Sequence, residues 1–391
     1  MHLLLSCTTL PRGMAKGQRG SMSQGQSSDT PNDPAARERA LIAVRQRIDA
    51  IDAEILRLLA ERGACARQIG DLKGGGVIYR PEREADVLRR LMAANPGPLP
   101  GEAIRVIFRE IMSACLALEQ PLQVGFLGPW GTFSEMAARK HFGSAPQLRP
   151  MTTIDEVFRE VEAGNLDYGV VPIENSAEGA VGVTHDLLLL HPLFICGEAL
   201  LRVHQHLMGH APSLATVRRV YSHAQSLAQC HEWLNIHLPD AARIPVASNA
   251  EAARLASDDP DSAAIAGQAA AERYGLPILA HNIEDDPNNT TRFLIIARHD
   301  AGPSGRDKTS IVCSAPNRPG AMHRLLEPLA RHGVSMTKLQ SRPAKSGLWE
   351  YVFFIDIEGH QQEPAVAAAL SELQERAAFV KRLGSYPVAV G

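Results

Sequence analysis

Two sets of residues in this 391-residue sequence have types and spacings that could do chemistry. The first is cationic. Leu41, Val44, Ile48, Ile51, Ile55, Leu58, Cys65, Ile69 and Leu72 follow the three-and-four rhythm of a helical stripe, and the position that rhythm assigns between Leu58 and Cys65 is Arg62. A guanidinium in an apolar seam is costly unless an anion meets it. That anion is either a bound ligand or a carboxylate of a neighbouring helix, and Arg45 and Lys73 flank the same stripe. The second set is made of hydroxyls and amides with one carboxylate and one arginine: Gly131-Thr132-Phe133-Ser134, Glu174-Asn175-Ser176, Ser222-His223 and Asn289-Thr290-Thr291-Arg292. They fall at expected strand ends and helix starts, where α/β folds collect ligand groups. Ser and Thr ahead of a helix are also ordinary N-caps, so GTFS alone carries little.

Composition narrows the choice. Hydrophobic residues make up 45% and charged residues 21%, which suits a globular chain long enough for two or three cores. Forty Lys plus Arg against 43 Asp plus Glu leave a charge of −3, so there is no global basic field for nucleic acid and any anionic ligand must meet placed cations. Six cysteines without a CxxC pair argue against a structural zinc site or a disulfide scaffold and suit a reducing cytoplasm. His204 and His206 form an HxH pair on an expected strand with only His210 near, so packed or hydrogen-bonding histidines are expected rather than a metal. No GxSxG, Walker or GxGxxG loop is present. No apolar run approaches the ~20 residues that span a bilayer, and MHLLLSCTTLPRG lacks the basic start of an export signal. Residues 1–36, rich in Gly, Ser, Gln and Pro from about Pro11, are expected to be disordered, with Met14 and Met22 as alternative starts.

The elements that must position these residues fall into three blocks. The stripe predicts one long helix ending at Gly74-Gly75-Gly76, followed by helices from about Pro81 to Ala94 and Glu102 to Glu119. Three helices with so extended a first member do not close a core, which packing against a second copy would do. Strands and helices alternate from VGFLG to TRFLIIAR, predicting a two-lobed, parallel-rich α/β unit with a cleft. Beyond AGPSGRD the pattern spells βαββαβ in an α+β module. The boundaries read as 37–120 all-α, 122–300 α/β and 307–391 α+β.

The helical block resembles the all-helical chorismate mutase family, through VRQRIDAIDAEILRLLAERGACARQIGDLK, YRPEREADVL and IMSACLALEQP. The resemblance implies that Arg45, Arg62 and Lys73 bind the carboxylates and ether oxygen of chorismate, Arg45 reaching into a partner subunit's site, while Glu84 meets the ring hydroxyl. A pericyclic rearrangement fits such a site, because it needs a compact conformer and positive charge at the breaking ether oxygen, not a nucleophile. Glu119 stands where the family often has Gln, and it donates a hydrogen bond only when protonated. Mutase activity is therefore expected to fall as Glu119 ionises. Arg80 and Cys115 replace the Asp and Ser of the best-known member and are read as substrate-binding.

GPWGTFSEMAA, GVVPIENSAEGAV, YSHAQSLAQC and NNTTRFLI resemble the prephenate dehydratase family in order and spacing. The resemblance implies that Thr291 is essential with Arg292 beside it, that Glu174, Asn175, Ser222 and Gln229 line the same cleft, and that Thr132 and Ser134 hold substrate. Dehydration with decarboxylation of prephenate is driven by forming an aromatic ring and needs general-acid help for the departing hydroxyl. A threonine hydroxyl is a poor acid, so Thr291 relays or positions a hydrogen bond, and Glu174 is a candidate acid if its surroundings keep it protonated. Trp130 replaces a residue that is often polar in this family, which bears on selectivity.

NRPGAM and QSRP resemble the two phenylalanine-binding stretches of the ACT domain, implying an L-phenylalanine site at Asn317, Gly320, Ala321, Met322, Gln340, Ser341, Arg342 and Pro343. Gln340 in place of the usual Glu drops a charge. Together the three resemblances imply a bifunctional enzyme of phenylalanine biosynthesis, at least a dimer and cytoplasmic, without cofactor, metal, nucleic-acid or membrane partner. The alternatives are a phenylalanine-binding regulatory protein with decayed catalytic cores and a chain that keeps one activity only.

Overall fold

The computed structural model describes residues 34–73, 77–315, 318–343 and 351–389. The disorder expected over 1–36 lies outside the described residues up to 33, and the triple glycine and Asn317 lie outside them too. Three helices come first: α1 (Pro34–Lys73), α2 (Pro81–Ala93) and α3 (Gly101–Ala117). The long helix thus starts at Pro34, inside the segment read as disordered. Pro81 opens α2, where its missing N–H costs nothing. Gly63 is the only buried residue of α1, and the stripe Leu41, Val44, Ile48, Ile51, Ile55 and Leu58 is about half exposed.

The first α/β lobe comprises β1 (Gln123–Leu127), α4 (Phe133–Phe142), β2 (Gln147–Met151), α5 (Ile154–Ala163), β3 (Tyr168–Asn175), β4 (Gly179–Ala180), α6 (Gly182–Leu190) and β5 (Phe194–Arg202). The chain crosses through 203–205 to the second lobe: β6 (His206–Met208), β7 (Arg219–His223), α7 (Ala224–Gln229), α8 (His231–His237), β8 (Ala242–Val246), α9 (Asn249–Ser257), β9 (Ser262–Ala266), α10 (Gln268–Tyr274) and β10 (Ile278–Ala280). It returns along β11 (Thr290–Ala297) to complete the first sheet, ordered β2-β1-β3-β11-β5, while the second is β10-β6-β9-β7-β8. β1, β2 and β3 run parallel and β11 runs antiparallel to both β3 and β5, so each sheet is mixed. The crossover also separates the two histidines: His204 lies between strands and meets Glu284 at 2.8 Å, while His206 opens β6 and accepts from Asn282 N at 3.1 Å.

The C-terminal module is β12 (Asp307–Ser314), α11 (Ala321–Arg331), β13 (Met336–Pro343), β14 (Tyr351–Glu358), α12 (Pro364–Arg376) and β15 (Phe379–Pro387), its antiparallel sheet ordered β13-β14-β12-β15. It does not hang from a linker. Val312, Val352, Phe354, Leu383 and Tyr386 share one apolar core with Phe158, Ile195 and Ile296 of the first lobe. Tyr79, between α1 and α2, is buried in the opposite core of that lobe with Phe142 and Tyr168.

Candidate active sites

The helical block holds a cavity of about 590 Å3 bordered by the C-terminal part of α1, the start of α2 and the end of α3. Arg62, Lys73, Arg80 and Arg83 line it with Cys115, against two carboxylates, Glu84 and Glu119, so cations outnumber anions. The Arg62 guanidinium donates to the Ile111 carbonyl at 3.4 Å. Lys73 donates to the Ile78 carbonyl at 3.1 Å and pairs with Glu119 at 3.3 Å, just past the end of α3. Arg45 stands exposed on the N-terminal part of α1.

Glu84 is held by a residue that sequence reasoning missed. Arg109 of α3 lies 3.3 Å from its carboxylate, and both side chains are nearly buried. Burial pushes the Glu84 carboxyl up to about 7, with Arg109 pulling the other way. Arg109 also donates to the Lys140 carbonyl at 2.6 Å, and the Tyr79 hydroxyl lies 3.1 Å from His141 Nε2. Burial, then Arg109, pull the His141 pKa down to about 3, so its imidazole is neutral beside Tyr79. The C-terminal end of α4 thereby fixes one wall of this cavity.

The N-terminal end of α4 opens onto the second site, a cleft of about 520 Å3 between the α/β lobes. Gly131, at φ +86°, makes the turn into the helix against Ala270 of the other lobe, an approach that a side chain would block. Ser248 caps α9 across the cleft, so two helix starts from opposite lobes border it. No Lys or Arg is among the lining residues, so amides, hydroxyls, helix N-termini and the His223 imidazole are the groups there to meet an anion. Thr132, Ser134, Asn175, Gln229 and Thr291 all line this cleft. The Thr132 hydroxyl is occupied at both ends, accepting from Glu135 N and donating to the Leu127 carbonyl, as an N-cap does.

Asn175 Oδ1 accepts from Ala177 N and Glu178 N, which fixes its amide, and Nδ2 donates to Thr291 Oγ1 at 2.8 Å and to Asn289 Oδ1 at 2.7 Å. With a lone pair taken, the Thr291 hydroxyl is oriented to donate its own proton.

Three residues expected to line the cleft do not. Thr291 pairs with Asn175 across β11 and β3, and the next pair, Arg292 with Glu174, points to the other face because strand side chains alternate. There Glu174 meets Lys338 of β13 at 2.6 Å. Arg292 meets Glu198 at 2.8 Å, Asp356 of β14 at 2.6 Å and the Tyr386 hydroxyl at 2.9 Å. Lys308 pairs with the same Glu198 at 2.9 Å. Burial works against the Arg292 charge, but Tyr386, Asp356 and Glu198 more than offset it and raise its pKa. Ser222 is fully buried and its one hydroxyl proton is shared between the Ile265 carbonyl at 2.7 Å and Asn249 Oδ1 at 3.0 Å, so it supports Asn249, which does line the cleft. Gln205, Ser248 and Asn249 are lining residues that sequence reasoning missed.

In the C-terminal module Gly320 caps α11 at φ +71°, with Ala321 and Met322 in the first turn. Gln340, Ser341, Arg342 and Pro343 lie on edge strand β13, where Arg342 pairs with Asp186 of α6 at 3.0 Å.

Comparison with known proteins matches three family models in this order: chorismate mutase type II over 44–120, prephenate dehydratase over 124–301 and the ACT domain over 309–375. A bifunctional chorismate mutase/prephenate dehydratase of Neisseria gonorrhoeae is 56% identical over 356 residues, covering 90% of this chain and 98% of that one. The structure of a prephenate dehydratase from Arthrobacter aurescens in complex with L-Phe is 36% identical with a TM-score of 0.63, covering 68% of this chain and 90% of that one. A quorum-quenching acylase, GqqA, is 32% identical with the same TM-score, covering 68% and 98%. Identity above one half over nearly the whole of a relative, with all three family models in collinear order, means that this chain belongs to the bifunctional chorismate mutase/prephenate dehydratases.

Proposed function

We propose that the helical cavity rearranges chorismate to prephenate, that the cleft converts prephenate to phenylpyruvate, and that L-phenylalanine inhibits the second step through the C-terminal module. In the first site Arg62, Lys73, Arg80 and Arg83 meet a dianion and stabilise the ether oxygen as its bond breaks. Glu84 accepts from the ring hydroxyl. Glu119, once protonated, releases Lys73 and donates to the ether oxygen beside it. A second copy of the chain covers the half-exposed stripe of α1 and supplies Arg45, which makes the working unit at least a dimer, in the cytoplasm.

In the second site the ring carboxylate leaves as carbon dioxide and its bonding electrons enter the ring as the C4–oxygen bond breaks. The departing hydroxyl takes up one proton and leaves as water. Thr291 donates the hydrogen bond that steadies this oxygen, and helix starts with Ser134 and Gln229 hold the carboxylates. The observation that carries this reading is the 2.8 Å bond from Asn175 to Thr291 within the cleft. Gly320, Ala321, Met322 and Gln340 to Pro343 form the effector stretches. Inhibition then passes through Arg292, whose partners Asp356 and Tyr386 belong to the C-terminal sheet and whose neighbour is Thr291.

Separate variants test the assignment of two sites. Thr291→Ala is expected to let prephenate accumulate from chorismate without phenylpyruvate. Arg62→Ala is expected to abolish turnover of chorismate and keep that of prephenate. Loss of both activities in either correctly folded variant would contradict two independent sites.

A further inference from the structure

Gln205 sits in the crossover between the lobes and is 1% exposed while lining the cleft. Its backbone is fixed: the N–H donates to Glu284 at 2.9 Å and the carbonyl accepts from Ile283 N at 2.8 Å. Its side-chain Nε2 donates to Ser226 Oγ at 3.0 Å and to Gln229 Oε1 at 3.4 Å. Its Oε1 is buried and has no protein partner. Buried amide oxygens are seldom left so, because losing water without a new hydrogen bond is costly. Two other amide oxygens of the cleft are taken, Asn175 Oδ1 by two backbone N–H groups and Asn249 Oδ1 by Ser222 and His223.

Prephenate, if the cleft binds it as proposed above, brings two carboxylates and a keto oxygen, all acceptors. Its C4 hydroxyl is its one donor at neutral pH. We infer that Gln205 Oε1 accepts the hydrogen of this hydroxyl, making Gln205 the residue that recognises and orients the leaving group. With that hydrogen held, the oxygen's lone pairs turn toward the Thr291 hydroxyl and the arriving proton. Gln205 transfers no proton, and its bonds to Ser226 and Gln229 hold its amide at the required angle.

The test measures equilibrium binding of prephenate and of its C4-deoxy analogue, which keeps both carboxylates and the keto group, to full-length Thr291→Ala protein that also carries Arg62→Ala to disable the helical cavity, with and without Gln205→Leu. Gln205→Leu is expected to weaken prephenate about ten-fold, the scale of one hydrogen bond, and to leave the analogue within two-fold. Gln205→Glu keeps an acceptor and is expected to retain the preference for prephenate over the analogue, which also covers the case in which the leucine variant does not fold. Equal weakening of both ligands, which an amide gripping a carboxylate would give, overturns the inference, as does no change in either. Failure of Thr291→Ala protein to bind prephenate at all would instead overturn the assignment of the cleft.

Discussion

Thr291 and Arg292 are consecutive on β11 and face opposite ways, Thr291 into the cleft with Asn175 and Arg292 into an ion network with Asp356 of the C-terminal sheet. One strand thus carries a cleft hydroxyl on one face and the contact with the C-terminal module on the other. Burial pushes the Asp356 pKa up, but Arg292, Ser310 and Lys308 outweigh it and keep the group ionised. Asp356→Asn keeps the shape and removes the charge. Phenylalanine inhibition of the dehydratase is expected to weaken several-fold in this variant, with mutase kcat/KM within two-fold of the parent. Inhibition curves that superimpose would exclude Arg292 as the link.

Asn175 and Thr291 are expected to act as one unit. Asn175→Ala frees the Thr291 hydroxyl to turn away from substrate, so each single alanine variant should lower dehydratase kcat by about 100-fold, the scale of a positioned catalytic hydrogen bond. The double variant should be little worse than the poorer single, as for groups that work through each other. Multiplying losses would show that the two side chains act separately.

Glu84 carries a pH signature in stability. Its carboxyl titrates near 7 in the folded chain against an ordinary value of 4.5, so folding takes up a proton between those values. The contribution is fully present below pH 4.5 and is lost as pH rises through 7. Urea midpoints of the parent should fall over this window relative to those of Glu84→Gln, which has no carboxyl to ionise. Parallel midpoints would contradict it. Mutase kcat/KM should climb over the same range as the acceptor carboxylate forms, and Arg109→Gln, which removes the opposing pull, should move that climb to higher pH.

Glu119 donates toward the ether oxygen only in its protonated form, and Lys73 competes for it at 3.3 Å. Glu119→Gln donates without a proton to lose and leaves Lys73 for the substrate, so mutase kcat/KM is expected to rise several-fold. An unchanged or lower value would remove Glu119 from the first site.

The long helix, the α/β alternation and the βαββαβ order were legible because their periodicities are strong. Edge strand β2 was not, since Gln147–Met151 (QLRPM) has no apolar run and a proline that only an edge tolerates. The break at Cys230 between the short helices α7 and α8 carries no Gly or Pro to mark it. Within the site, each motif runs as one block in sequence, but strand alternation separates Asn175 and Thr291 from Glu174 and Arg292. Among the described residues no carboxylate pairs with Arg62, whose guanidinium donates to the Ile111 carbonyl, so the anion that the stripe requires is left to the proposed ligand. Arg109 and Gln205 had no readable signal. One is an arginine on a helix far from Glu84 in sequence, and the other acquires its role from a crossover that brings two lobes together.

Phenylpyruvate formation from chorismate and, separately, from prephenate, each with and without L-phenylalanine, is the assay to run on the full chain. Product from both substrates, suppressed by phenylalanine, is the expected result. Product from prephenate alone would contradict the mutase assignment of the helical cavity, and product from neither would leave a phenylalanine-binding regulatory protein in place of an enzyme.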